Sequence, residues 1–183
     1  NNSFGSKLYV EDSGFFLNNE MDDFSSKPGY PNFFGVLGSE ANSIRPGKRM
    51  LSAMTPTIVL KNNKPILILG SPGGPSIITS VFQTILNVIE YNMDVNEAVS
   101  APRFHHQWYP DLIVMEKDVS STDVDSILKS KNYLIVKLPI KSDTLGVYKR
   151  ADIGAVDAIL IDESGNVSGG ADLRREHYSS SVY

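Results

Sequence analysis

The chain has 183 residues, 41% of them apolar and 21% charged, with a formal net charge of −4. That balance excludes a disordered or collagen-like polypeptide, and it argues against a broad basic surface for nucleic acid. The absence of cysteine excludes disulfides, zinc–thiolate sites, iron–sulfur clusters and a cysteine nucleophile.

The length suits one domain or part of a larger one. The most apolar run, 77–89, is broken by Thr79, Ser80, Gln83, Thr84 and Asn87, so no membrane span is expected. The opening Asn1-Asn2-Ser3-Phe4-Gly5 lacks Met and a signal peptide, and reads as the inside of a processed or cut chain.

In chain order, Leu8–Val10 and Phe15–Leu17 flank the turn Glu11-Asp12-Ser13-Gly14, which predicts a hairpin. Residues 25–47 are rich in Ser, Pro, Gly and Asn, with Tyr30, Phe33 and Phe34 among them. They predict a long ordered loop of the kind that often forms a lid. Thr57–Leu60 and Ile66–Leu69 predict a second hairpin around Asn62-Asn63-Lys64. A helix is expected after Pro75, with Ile77, Ile78, Val81, Ile85, Val88 and Ile89 at helical spacing. A short helix follows at 95–100, then a strand at 112–115. The next helix spans 121–131, with Val124, Ile127 and Leu128 inward. A strand at 134–138 follows. A last hairpin pairs 154–161 with 167–169. The class is α+β with a largely antiparallel sheet and no parallel βαβ unit.

Four stretches carry polar chemistry. Asn18-Asn19-Glu20-Met21-Asp22-Asp23 places three carboxylates within four residues after a strand. Alone it reads first as a solvated turn, and second as a grip for an ammonium group; it lacks calcium-loop spacing. In Arg49-Met50-Leu51-Ser52-Ala53-Met54-Thr55, the hydroxyls of Ser52 and Thr55 suit either a carboxylate or local capping. Gly70-Ser71-Pro72-Gly73-Gly74-Pro75 reads equally as a tight strand–helix corner or as a backbone cradle for an oxyanion. It is neither a phosphate-binding P-loop nor a dinucleotide fingerprint. The adjacent His105 and His106 face opposite ways on a strand, which favours structural roles over joint metal binding.

Taken together and in this order, these motifs resemble the small subunit of the γ-glutamyltranspeptidases. Ala101-Pro102-Arg103-Phe104-His105-His106-Gln107-Trp108 and Gly169-Gly170-Ala171-Asp172 with Arg174-Arg175 extend the resemblance over nearly the whole chain, 1–183. The resemblance implies an α+β fold of the N-terminal-nucleophile hydrolase type, an αββα sandwich of two sheets between helices. It also implies a precursor that cleaves itself into a large and a small subunit. A Thr at the new N-terminus then attacks the γ-amide of glutathione or another γ-glutamyl compound. The acyl group passes to water or to an amino acid or peptide.

Matched by position, the resemblance assigns Asn1, Glu20 and Asp23 to the α-amino end of the γ-glutamyl group and Ser52 to its α-carboxylate. Gly73 and Gly74 become the oxyanion donors, 28–39 within the 25–47 loop region becomes a lid, and Phe34 becomes the aromatic residue that closes it. The large subunit is the expected partner and supplies an arginine for the substrate carboxylate. No cofactor or metal ion is called for, and the implied location is periplasmic or extracellular. Three departures stand out. The Thr nucleophile matches no residue here and is expected upstream of Asn1, so this polypeptide alone is expected to be inactive. Ala53 replaces the second serine of a pair. Pro75-Ser76 and Leu173 differ from the usual pattern. A glutaryl-cephalosporin type acylase and an inactive family member are the competing expectations. Glu20 and Asp23 favour a γ-glutamyl substrate, because a glutaryl group has no α-amine.

Overall fold

The computed structural model describes residues 5–32, 35–117, 119–138 and 153–174, so the expectations for Asn1 and Phe34 lie outside the described residues. Two compact units divide the chain, Asn1–Ala53 and Met54–Tyr183.

In the first unit, β1 (Tyr9–Val10) and β2 (Phe15–Phe16) form the expected antiparallel hairpin. Tyr9 lies opposite Phe16 with ring centroids 5.3 Å apart, a cross-strand aromatic pair that fixes the register. A 3-10 turn at Glu20–Asp23 follows. Among its described residues the loop region has no strand of its own. It is held by single bridges, Ser25 with Ser43 and Pro31 with Leu37, and by a 3-10 turn at Glu40–Asn42. Lys48 fastens that turn by donating from Nζ to the carbonyls of Ala41 (2.6 Å) and Ser43 (3.0 Å).

The second unit runs β3 (Thr57–Lys61), β4 (Lys64–Gly70), α1 (Ile77–Ile89), α2 (Val95–Ser100), β5 (Phe104–His105), β6 (Ile113–Met115), α3 (Thr122–Ser130), β7 (Ile135–Lys137), β8 (Asp157–Ile161) and β9 (Val167–Ala171). Strands β3-β4-β8-β9 form one antiparallel sheet in that order, and β5-β6-β7 form a second, mixed sheet. Leu67, Leu69, Val156 and Ala158 from the first sheet and its approach bury against Val81 of α1 and Val95 and Val99 of α2. Asp94 starts α2 with a capping box: its Oδ1 accepts from the N–H groups of Asn96 and Glu97, while Glu97 Oε2 accepts from the Asp94 N–H.

The polar residues of α1 have fixed duties. Gln83 clasps β5, donating to the Phe104 carbonyl (2.8 Å) and accepting its N–H (3.2 Å). Thr84 and Ser80 are fully buried and return their hydroxyls to helix carbonyls one turn back.

Three expectations need correction. β6 pairs with β7 in parallel, with α3 between them, so a βαβ unit is present. Each of these strands has only three residues, and such short runs carry no sign of pairing direction. Val124 and Ile127 of α3 are exposed, at 44% and 56%; only Leu128 is half-buried, because α3 rests on the three-residue β7 and not on a broad sheet. Residues 154–156 precede β8 instead of opening it. Their backbone is drawn into side-chain hydrogen bonds: Ala155 N–H donates to Ser71 Oγ and Val156 N–H to Asp172 Oδ2.

Candidate active site

In the first unit, the chain leaves β2 and tightens at Glu20–Asp23, where Asn18 Oδ1 accepts the Glu20 N–H at 3.1 Å. Glu20 and Asp23 are half-buried and Asp22 is exposed. Partial burial, with the charges of Glu20 and Asp22, raises the Asp23 carboxyl above its ordinary value of 3.8. An incoming ammonium would offset both the burial and the repulsion that raise this carboxyl. No group of three His, Asp or Glu among the described residues is arranged to hold a metal ion.

Ser52 is exposed, and among the described residues its hydroxyl meets only the neighbouring Ala53 carbonyl at 3.5 Å, a contact too long to occupy it. One side chain links the two stretches. Asn42 donates from Nδ2 to the Asp23 carbonyl (2.7 Å) and accepts the Leu51 N–H on Oδ1 (3.2 Å). A cavity of about 220 Å³ in this unit is lined by Asp23, Ser25, Tyr30, Asn42 and Leu51, among others.

In the second unit, β4 delivers Gly70 into the glycine turn. Gly73 (φ 143°) and Gly74 (φ 57°) both lie in the left-handed region. Ser76 N–H and Oγ both donate to the Gly73 carbonyl, which turns that carbonyl into the start of α1. Among the described residues, the N–H groups of Gly73 and Gly74 have no carbonyl or side-chain acceptor. Two donors beside a helix start can stabilise a developing oxyanion.

A buried charge cluster braces the segment behind this turn. Arg103, 1% exposed, pairs with Asp172 at 2.7 Å and also donates to the carbonyls of Val99 and Ile153. Arg174 binds Glu116, Asp172 and the carbonyls of Val99 and Ala101. Burial pulls the Arg103 guanidinium below its ordinary value, and the charge of Arg174 adds to this, against the pull of Asp172. Burial acts the same way on Arg174, but its hydrogen bonds and charge pairing with Glu116 and Asp172 outweigh it and raise it. Every charge in the cluster has an opposite partner, as burial demands.

His105 and His106 take structural places. His105 is buried, with Nδ1 2.8 Å from Thr79 Oγ1 and Nε2 2.9 Å from Gln107 Oε1. His106 reaches Asp111 at 3.0 Å and stands edge-on to Tyr133.

The family model for Gamma-glutamyltranspeptidase matches residues 1–182. The chain belongs to the γ-glutamyltranspeptidase family. It is 43% identical over 174 residues to the glutathione hydrolase proenzyme of Escherichia coli K12, covering 95% of this chain and 28% of that relative. It thus spans under a third of the length of that curated relative. A mutant γ-glutamyltranspeptidase of Helicobacter pylori superposes with a TM-score of 0.78 at 49% identity, covering 96% of this chain and 89% of that one. A cephalosporin acylase of Bacillus halodurans shares the fold alone, with a TM-score of 0.69 at 22% identity over 93% of this chain and 28% of that one. The class is α+β of the N-terminal-nucleophile hydrolase type.

Within this γ-glutamyltranspeptidase-like chain, the first unit brings Asp23 and Leu51, next to Ser52, onto one side chain. Asn42 is the residue that sequence reasoning missed, since an Asn in a polar loop carries no pattern of its own. The partners of Arg103 were also missed. Arg103, Asp172 and Arg174 all fall in the family-like motifs, which was their only signal.

Proposed function

We propose that this chain is the substrate-holding and oxyanion-stabilising part of a γ-glutamyl transferase/hydrolase. The observation that carries the reading is the Gly73–Gly74 turn, with two N–H donors lacking acceptors among the described residues. A γ-glutamyl group offers an ammonium, a carboxylate and an amide carbonyl. Glu20 and Asp23 suit the ammonium, Ser52 donates to the carboxylate, and Gly73 and Gly74 take the carbonyl oxygen as it becomes negative. Asn1 and Phe34 keep the roles the resemblance gives them, at the ammonium and at the lid.

The chemistry is acyl transfer. A Thr hydroxyl, matched by no residue here, adds to the γ-carbonyl carbon as a base takes its proton. The carbon–nitrogen bond breaks, the amine leaves with a proton, and the resulting ester passes its glutamyl group to water or an amine. The large subunit of the same precursor is the expected partner. Exposed Ile58, Leu60, Ile78 and Phe82 support this, because such apolar surface is suited to burial in an assembly. Periplasmic or extracellular placement completes the proposal and rests on the family resemblance.

The test is release of p-nitroaniline from γ-glutamyl-p-nitroanilide by the full-length, self-cleaved protein. Turnover supports the reading. Turnover of a glutaryl anilide in preference to the γ-glutamyl one would instead favour an acylase, and no turnover of either would leave a binding protein.

A further inference from the structure

We propose that Asn42 is a positioning residue that sets the spacing between the ammonium-binding Asp23 and the carboxylate-binding Ser52, and thereby selects substrates that carry both charges. This inference rests on the γ-glutamyl reading above.

The geometry is specific to an amide. The Asp23 carbonyl can only accept and the Leu51 N–H can only donate, so the side chain between them needs one donor and one acceptor. Neither a carboxylate nor an aliphatic side chain meets both needs. The backbone carbonyl of Asn42 takes a third bond, from the Ser25 N–H at 2.9 Å. One residue therefore grips the chain at position 23, at position 25 and one residue before Ser52. Asn42 is itself held: the Ser43 N–H donates to the Glu40 carbonyl, and Lys48 binds the carbonyls of Ala41 and Ser43 on either side of it. Asp23, Asn42 and Leu51 also line the same cavity.

The consequence follows from two-point binding. A γ-glutamyl group has a fixed distance between its ammonium and its carboxylate. A site that holds both must keep its own two groups at the matching distance. Loss of the Asn42 bridge lets the Asp23 and Ser52 stretches drift apart. A ligand bound at both ends then suffers, while a ligand bound at one end does not.

The experiment uses the full-length, self-cleaved protein as wild type, Asn42→Ala and Asn42→Asp. The aspartate keeps an acceptor for the Leu51 N–H and removes the donor to the Asp23 carbonyl. Initial rates are measured with γ-glutamyl-p-nitroanilide, with L-glutamate and glutarate as competitive inhibitors, alongside thermal unfolding. The expected result is a KM and an L-glutamate Ki raised about tenfold or more in both variants. The kcat should stay within about threefold and the Ki of glutarate, which has no ammonium, should not move. If Asn42→Ala fails to fold, Asn42→Asp alone decides the matter. Failure of both to fold overturns the inference and makes Asn42 a folding residue. An unchanged KM, or equal rises for glutamate and glutarate, also overturns it while wild-type turnover preserves the γ-glutamyl reading. A wild type without turnover sinks that reading, and this inference with it.

Discussion

A Cβ atom on Gly73 would stand 2.8 Å from the Cα of Gly154, so the Gly73–Gly74 turn, proposed to hold the oxyanion, rests backbone to backbone on the segment leading into β8. Gly73→Ala is blocked twice, by that contact and by a φ of 143° that a side chain resists. The variant should lose kcat by about 10²-fold or more, as when an oxyanion donor is displaced. Gly154→Ala should act in the same direction. Its Cβ would meet Ser80 Oγ at 2.3 Å and Ser71 Oγ at 2.9 Å, pushing the support under Gly73. Steady-state kinetics of both variants check this, and a Gly154→Ala enzyme with normal kcat would disprove the support.

Asp23, proposed to hold the substrate ammonium, ties that binding to pH. Its carboxyl is raised above 3.8 in the ligand-free fold, so the folded state holds its proton more tightly than the unfolded chain does. The sign follows: as pH rises from 3.8 through the raised value, ionising Asp23 costs stability instead of adding it. Asp23→Asn should therefore unfold at or above the wild-type temperature near pH 7, while its KM for a γ-glutamyl substrate rises. A clear drop in its unfolding temperature would show that the charge is stabilising. In the wild type, kcat/KM should fall on the acid side, through an apparent pKa above 3.8, as the proton displaces the ammonium.

Ala53 offers a gain-of-binding test. A serine there adds one hydroxyl beside Ser52, and a hydrogen bond to a charged group contributes about 1.5–3 kcal/mol. Ala53→Ser should lower the KM for γ-glutamyl substrates by about tenfold or more. Titration of L-glutamate against both proteins measures it. No gain would mean that another donor already serves the carboxylate.

The buried pair Arg103–Asp172 should be intolerant of single truncation. Asp172→Ala strands a guanidinium that is 1% exposed and strips the Val156 N–H of its acceptor. The expected loss is about 3–5 kcal/mol by chemical denaturation. Arg103→Met combined with Asp172→Ala should lose less than the sum of the two single changes, because neither charge is then left alone.

Hairpins and helices were legible where side-chain period and turn residues agree. Tyr9-Val10 and Phe15-Phe16 flank a Gly14 turn, and the short helix expected at 95–100 forms at Val95–Ser100. The parallel pairing of β6 with β7 was not legible, because a three-residue strand buries too little to show which neighbour it meets. Val124 and Ile127 misled for a related reason: an apolar stripe shows which face a helix would bury, not whether a partner lies there.

The sequence by itself determined the kinds of chemistry present: a carboxylate turn, exposed hydroxyls, a Gly-Gly corner and a family pattern spread over most of the chain. Those rest on residue identity and local spacing, which the linear chain carries in full. Only the tertiary structure decided how Asp23 and Leu51 share Asn42, which carbonyls Arg103 reaches, and why Gly73 must lack a side chain where it rests on the backbone of Gly154. Those are contacts between segments 19, 50 or 81 residues apart. Their partners are chosen by close packing and by the demand that every buried polar group find a match, and neither condition exists until the chain has folded.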